Sequence, residues 1–165
     1  MLNQSNKSSF FFECLPSYEN GYLEVGNNHS IYFEQYGNPK GIPILFLHGG
    51  PGAGFSNAHK SFFGPKVFRV VFFDQRGSGK SIPYAKTDFN NTKLLISDIE
   101  DLRKLLKIDK WYLFGGSWGS TLALLYGIEL PNRCLGFILR GIFLGTKIEI
   151  DWFLYDIKKF FPEAY

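Results

Sequence analysis

Residues 113–121 read Leu113-Phe114-Gly115-Gly116-Ser117-Trp118-Gly119-Ser120-Thr121, a serine among glycines that follows an apolar run and precedes a helical one. G-x-S-x-G in that context has a specific physical use. A nucleophile at the tip of so sharp a strand-to-helix turn sits in a strained backbone conformation, and its neighbours two positions away must be small. Gly115 and Gly119 meet that demand, and Gly116 keeps the turn bare of side chains. A helix starting at Trp118 directs its first amides and the positive end of its dipole at a developing oxyanion. Any strand–helix turn favours Gly and Ser, so the motif gains its weight from the buried strand before it and the helix after it.

Outward from this turn, residues 42–47, 68–73, 111–114 and 134–139 are continuous apolar runs, the pattern of strands buried on both faces. Residues 91–107 carry Leu94, Leu95, Ile99, Leu102, Leu105 and Leu106 at helical spacing, with Asn91 or Thr92 as cap. Residues 117–130 form the next helix, stopped by Pro131. Upstream, residues 21–25 and 31–36 alternate around Gly26-Asn27-Asn28-His29, a hairpin. Buried strands alternating with helices imply an α/β fold, with a mainly parallel sheet covered on both sides and the hairpin as its antiparallel edge. Residues 1–19 read as an irregular lead-in, 20–145 as the core, and 146–165 as a separate segment with an aromatic, amphipathic helix around 151–161.

Three of the buried strands run into Gly-rich loops: His48-Gly49-Gly50-Pro51-Gly52, Asp74-Gln75-Arg76-Gly77-Ser78-Gly79-Lys80-Ser81, and the turn at Ser117. Ligands of open α/β sheets bind at the carboxyl ends of strands, so the three loops converge on one site. The second loop resembles a phosphate-binding loop, but the full pattern needs glycine where Asp74 stands. A dinucleotide fingerprint ending at Gly119 likewise needs glycine at Phe114. What the first loop fits is the other half of acyl transfer. A tetrahedral oxygen needs two amide donors, each worth about 3–4 kcal/mol. Trp118 supplies one, and the loop after the third strand supplies the second, assigned to Gly50 in preference to Gly49.

The base is the difficulty. His48 ends a buried strand beside the oxyanion loop, where bracing of backbone is the expected role. His29 in a hairpin turn and His59 in a surface helix are expected to be solvated. Asp74 and Arg76 are expected to order the second loop through charge-assisted hydrogen bonds.

Composition bounds the rest. A chain of 165 residues makes one domain that buries roughly 70% of its unfolded surface. Its 45% hydrophobic and 20% charged content is that of a globular protein. The net charge of +3 is small and the lysines are scattered, which argues against a nucleic-acid partner. The eighteen Phe point to a Phe-rich core rather than an aromatic binding face. Cys14 and Cys134 lie far apart without metal or disulfide spacing, and no stretch has the makings of a signal peptide or membrane span, so a cytoplasmic location is expected.

Taken together, Gly21-Tyr22-Leu23-Glu24-Val25, the HGGPG at 48–52, the DQRGSGKS at 74–81, the GGSWGSTL at 115–122 and Leu139-Arg140-Gly141-Ile142-Phe143 closely resemble, in order and spacing, the proline iminopeptidase family of α/β-hydrolase-fold serine peptidases. The resemblance runs from about Leu15 to the last residue. It implies release of N-terminal proline from small peptides, Ser117 as nucleophile, Gly50 and Trp118 amides as the oxyanion hole, and no metal or organic cofactor. It also implies that the chain is the N-terminal half of such an enzyme, cut before the last strands, with 146–165 as the start of the helical cap. No histidine follows Ser117, and Asp151 and Asp156 match the start of the cap rather than a triad aspartate. The 165-residue chain alone is therefore expected not to hydrolyse prolyl peptides. Two other readings fit parts of the pattern: a different α/β hydrolase such as an esterase, which shares G-x-S-x-G, and a non-enzymatic truncated chain, which follows from the missing histidine.

Overall fold

A computed structural model describes residues 11–164. Six strands form one sheet: β1 (Glu19–Glu24), β2 (Ser30–Gly37), β3 (Ile42–Leu47), β4 (Phe68–Phe73), β5 (Trp111–Gly116) and β6 (Cys134–Arg140). Their order across the sheet is β1-β2-β4-β3-β5-β6. The hairpin β1–β2 is antiparallel and joins β4 antiparallel, while β4, β3, β5 and β6 run parallel.

That order fixes where the connections lie. Right-handed crossovers are the rule between parallel strands. From β3 to β4 the chain steps toward the hairpin edge, and from β4 to β5, then β6, it steps back the other way. The first connection therefore falls on one face and the next two on the opposite face. On the first face runs a 3₁₀ segment, Asn57–Phe62; on the other lie α1 (Thr92–Leu105) and α2 (Trp118–Glu129). Among the described residues both faces are covered as expected, one by the two α-helices and the other by the 3₁₀ segment and the residues around it.

Side-chain alternation along the strands feeds two cores. Leu45, Leu47, Val71, Phe73 and Leu113 turn toward Leu95, Ile99 and Leu102 of α1 and Leu122, Ala123 and Tyr126 of α2. Ile44, Phe46, Val70 and Phe72 turn the other way and meet Phe63, with Phe55 and Phe114 packed against them. This second core is largely phenylalanine, with the Phe46–Phe72 and Phe63–Phe114 rings both centred 5.1 Å apart. Aromatics lacking a helix to pack on fill the space beneath the short 3₁₀ segment with each other.

Asn91 caps α1, its side chain accepting from Leu94 N at 3.1 Å. Two expectations do not hold. β6 is not a buried strand: Leu135, Phe137 and Ile138 are 43–45% exposed, because β6 is an edge of the sheet among the described residues. The helix expected over 151–161 is broken into α3 (Lys147–Asp151), one π turn (Trp152–Asp156) and a 3₁₀ turn (Ile157–Lys159). Its aromatics are exposed, so no packed face regularises it. No helix of the described residues is long and apolar enough to cross a membrane.

Candidate active site

The carboxyl ends of β3, β4 and β5 carry the three Gly-rich loops, and side chains tie the loops into one unit. At the end of β5, Ser117 takes φ 55° and ψ −125°, a conformation that L-residues rarely adopt, and α2 begins at the next residue. Close approach explains the flanking glycines. A Cβ on Gly115 would lie 2.2 Å from Gly119 O, and one on Gly119 would lie 2.1 Å from Leu47 O. The elbow is thus packed backbone to backbone against the end of β3.

Ser117 is exposed, and its side chain makes no cap bond to α2. Its N–H donates to Arg140 O at 3.1 Å, which ties the elbow to the end of β6, and its carbonyl accepts from Ser120 Oγ at 2.6 Å. Ser120 Oγ in turn accepts from Phe143 N, and Thr121 Oγ1 donates to Phe143 O, so the irregular segment after β6 is fastened across the first turn of α2. Trp118 opens the helix, where an N–H has no partner within the helix. No backbone carbonyl of the described residues takes the N–H of Trp118 or of Gly50. Gly49 packs on the elbow: a Cβ there would meet Gly116 O at 3.1 Å and Ser117 Cβ at 3.4 Å. The first loop therefore runs directly alongside the nucleophile candidate, with Gly50 at φ +119°.

His48 is buried, and both ring nitrogens are committed to backbone. Nε2 accepts from Gln75 N at 3.0 Å, so in the neutral ring the proton sits on Nδ1, which donates to Gly49 O at 2.9 Å. The Gly54 N–H also points at Nδ1, but at a longer 3.2 Å. Burial pushes the His48 pKa down, only partly offset by the Gly49 carbonyl and by Asp74, which keeps the ring neutral. Its place is a brace between the first and second loops.

His29 departs from expectation. It is buried rather than solvated, with Nε2 against Asp88 O at 2.9 Å, because the loop carrying Asp88 folds over the hairpin turn. His59 is half-buried: it stacks on Phe46 with centroids 4.7 Å apart and its Nδ1 accepts from Ser56 N. None of the three histidines hydrogen-bonds Ser117.

The second loop is held by its two charges. Asp74 accepts from Phe55 N at 2.9 Å and Lys80 N at 2.8 Å. Arg76 makes a buried bidentate pair with Asp98 of α1, both contacts 2.7 Å, and donates to Phe89 O and Val25 O. Sequence reasoning misses Gln75, which is buried and whose side chain spans from His48 O to the indole of Trp118. Its only signal is its place between two charged residues that themselves draw the eye. Beside this cluster a cleft of about 460 Å³ is lined by Pro51, Gly52, Gln75, Tyr84, Asn90 and Trp118, among others. Among the described residues no three His, Cys, Asp or Glu come together as a metal site requires.

Comparison with known proteins agrees with this geometry. Residues 42–165 match the family model for the alpha/beta hydrolase fold. The chain is 51% identical over 155 residues to a probable proline iminopeptidase of Leptolyngbya boryana, covering 93% of this chain and 48% of that protein. It is 51% identical over 148 residues to a proline iminopeptidase of Arabidopsis thaliana, covering 90% of this chain and 39% of that protein. The chain thus spans about half the length, or less, of these curated relatives. Among solved structures, a proline iminopeptidase-related protein from Thermus thermophilus superposes with a TM-score of 0.63 at 32% identity, over 73% of this chain and 43% of that one. An epoxide hydrolase of Vigna radiata, at 21% identity and a TM-score of 0.68 over 86% of this chain and 46% of that one, shares the fold. With an elbow serine at the end of β5, a hairpin leading into a parallel sheet, and a family match over three quarters of its length, this chain belongs to the alpha/beta hydrolase fold family.

Proposed function

We propose that Ser117 is the nucleophile of an acyl transfer that releases N-terminal proline from small peptides. The observation that carries the reading is the backbone of Ser117 itself: φ 55°, ψ −125°, exposed, with Gly49 packed against it and the N–H groups of Trp118 and Gly50 taken by no backbone carbonyl of the described residues. In this reading Ser117 Oγ attacks the prolyl carbonyl, the oxyanion is received by Trp118 N–H and Gly50 N–H, and the amine of the next residue leaves with a proton. Water then releases proline from the acyl-serine. His48, Gly49, Gly115, Gly116 and Gly119 shape the site and touch no reacting atom. The choice of proline rests on the names of the relatives.

The Ser117 proton needs an acceptor, and His29, His48 and His59 are all engaged elsewhere. A base from outside these 165 residues is therefore part of the proposal, and residues 146–165 are its first stretch of cap. The test is turnover of a chromogenic prolyl arylamide and of a simple ester by the natural polypeptide that carries this chain. Cleavage of the arylamide is expected to fall by about a million-fold in Ser117→Ala. Preference for the ester would favour an esterase, and turnover that survives Ser117→Ala would overturn the assignment.

A further inference from the structure

Gln75 occupies a place that only one kind of side chain can fill. It is 2% exposed, and its backbone N–H already holds His48 Nε2. Its side-chain Nε2 donates to His48 O at 3.0 Å, and its Oε1 accepts from Trp118 Nε1 at 2.9 Å. The amide orientation is unambiguous, since an indole N–H can only donate and a carbonyl oxygen can only accept. A planar end with one donor and one acceptor is required. Ionised glutamate lacks the donor, leucine and methionine lack both, and asparagine is one methylene too short to reach both partners.

The two ends of this bridge belong to the two halves of the oxyanion site. His48 begins the loop that carries Gly50, and Trp118 begins α2 directly after Ser117; no backbone carbonyl of the described residues takes either the Gly50 or the Trp118 N–H. No other side chain among the described residues hydrogen-bonds both the His48 main chain and the Trp118 ring. We infer that Gln75 is a positioning residue: its buried amide sets the separation and angle of the Gly50 and Trp118 N–H groups, so that both meet one developing oxyanion. This inference rests on the acyl-transfer reading above. Donors aimed at a transition-state oxygen lose much of their effect when displaced by even 1 Å, whereas ground-state binding is far less sensitive.

The test uses the natural polypeptide with three variants: Gln75→Leu, the near-isosteric Gln75→Glu, and Trp118→Phe, which removes the indole N–H but keeps the backbone amide. Gln75→Leu and Gln75→Glu are each expected to lower kcat on a prolyl arylamide by about 10–100-fold while KM stays within about twofold. Trp118→Phe should lower kcat less, and Gln75→Leu combined with Trp118→Phe should be no worse than Gln75→Leu alone, because both cut the same bridge. In the 15N–1H spectrum the Trp118 indole resonance should move upfield in Gln75→Leu. Turnover within about twofold of the parent in both Gln75 variants, strictly multiplicative losses in the double variant, or an indole resonance that does not move would each overturn the inference. A parent without Ser117-dependent turnover defeats the peptidase reading by itself; the bridge then stands or falls on the indole resonance of parent against Gln75→Leu and Gln75→Glu.

Discussion

Ser117 holds a backbone conformation that costs about 1–3 kcal/mol for a residue with a Cβ, and the surrounding close packing keeps it there. Replacing it by glycine removes the strain but adds backbone entropy to the unfolded chain, so Ser117→Gly is expected to raise the unfolding free energy by about 1 kcal/mol while abolishing turnover. Urea titration checks this, and a destabilised Ser117→Gly would show that the elbow is not strained. The flanking positions behave oppositely. Gly119→Ala puts a methyl 2.1 Å from Leu47 O and is expected to destabilise by about 3 kcal/mol or more; an unchanged melting temperature would contradict the packing described. This much is legible from the nine residues around Ser117, because strand, turn and helix signals coincide there. Gln75 is not, because nothing local to it announces that its two partners lie 27 and 43 positions away.

Between elements, buried polar contacts do the positioning, and two of them set how the fold responds to acid. Burial lowers the His48 pKa from its ordinary 6.5, so the folded ring refuses a proton that the unfolded chain accepts. Stability supported by neutral His48 is present above about 6.5 and declines as pH falls below it. Glu34 acts lower down. Burial would raise its carboxyl from the ordinary 4.5, but hydrogen bonds from Lys60, Ser17 and Tyr32 together with the charge of Lys60 outweigh that and hold it at about 2. A carboxyl so lowered supports the fold above pH 4.5 and withdraws that support as pH falls toward 2. Lys60, with its ammonium 2.8 Å from Glu34, is itself 3% exposed. Glu34→Gln is therefore expected to cost about 3–5 kcal/mol at neutral pH, by leaving a buried cation unpaired, and to flatten the stability profile below pH 4.5. Denaturant titrations across pH check both; an acid limb of undiminished steepness in Glu34→Gln would contradict the assignment. The pairings Lys60–Glu34 and Arg76–Asp98 join residues 26 and 22 positions apart, and no periodicity in the sequence brings them together. His29 misleads for the same reason: a hairpin-turn histidine reads as solvated until the segment carrying Asp88 is seen to fold over it.

At the scale of the molecule, apolar periodicity places every strand of the parallel sheet to within two residues, since a strand buried on both faces leaves an unbroken apolar run. For β6 the same signal finds the strand but not its exposure: its apolar residues are as dense as those of β3 but stand exposed on an edge of the sheet among the described residues. Composition records what a residue can pack against and not whether the partner is present. The 165-residue chain, expressed by itself, is expected to self-associate through this edge, and Ile138→Lys with Phe137→Lys should shift it toward monomer in sedimentation. A chain that is already monomeric at tens of micromolar would contradict this. The elbow serine is tested most directly by trapping the acyl intermediate. The natural polypeptide is mixed with an activated prolyl ester, quenched in acid and digested, and the peptide containing Ser117 is weighed. A gain of one prolyl group on Ser117 is predicted, absent from Ser117→Ala. Turnover of the ester with no acyl group on that peptide, or with the group on another residue, would contradict it.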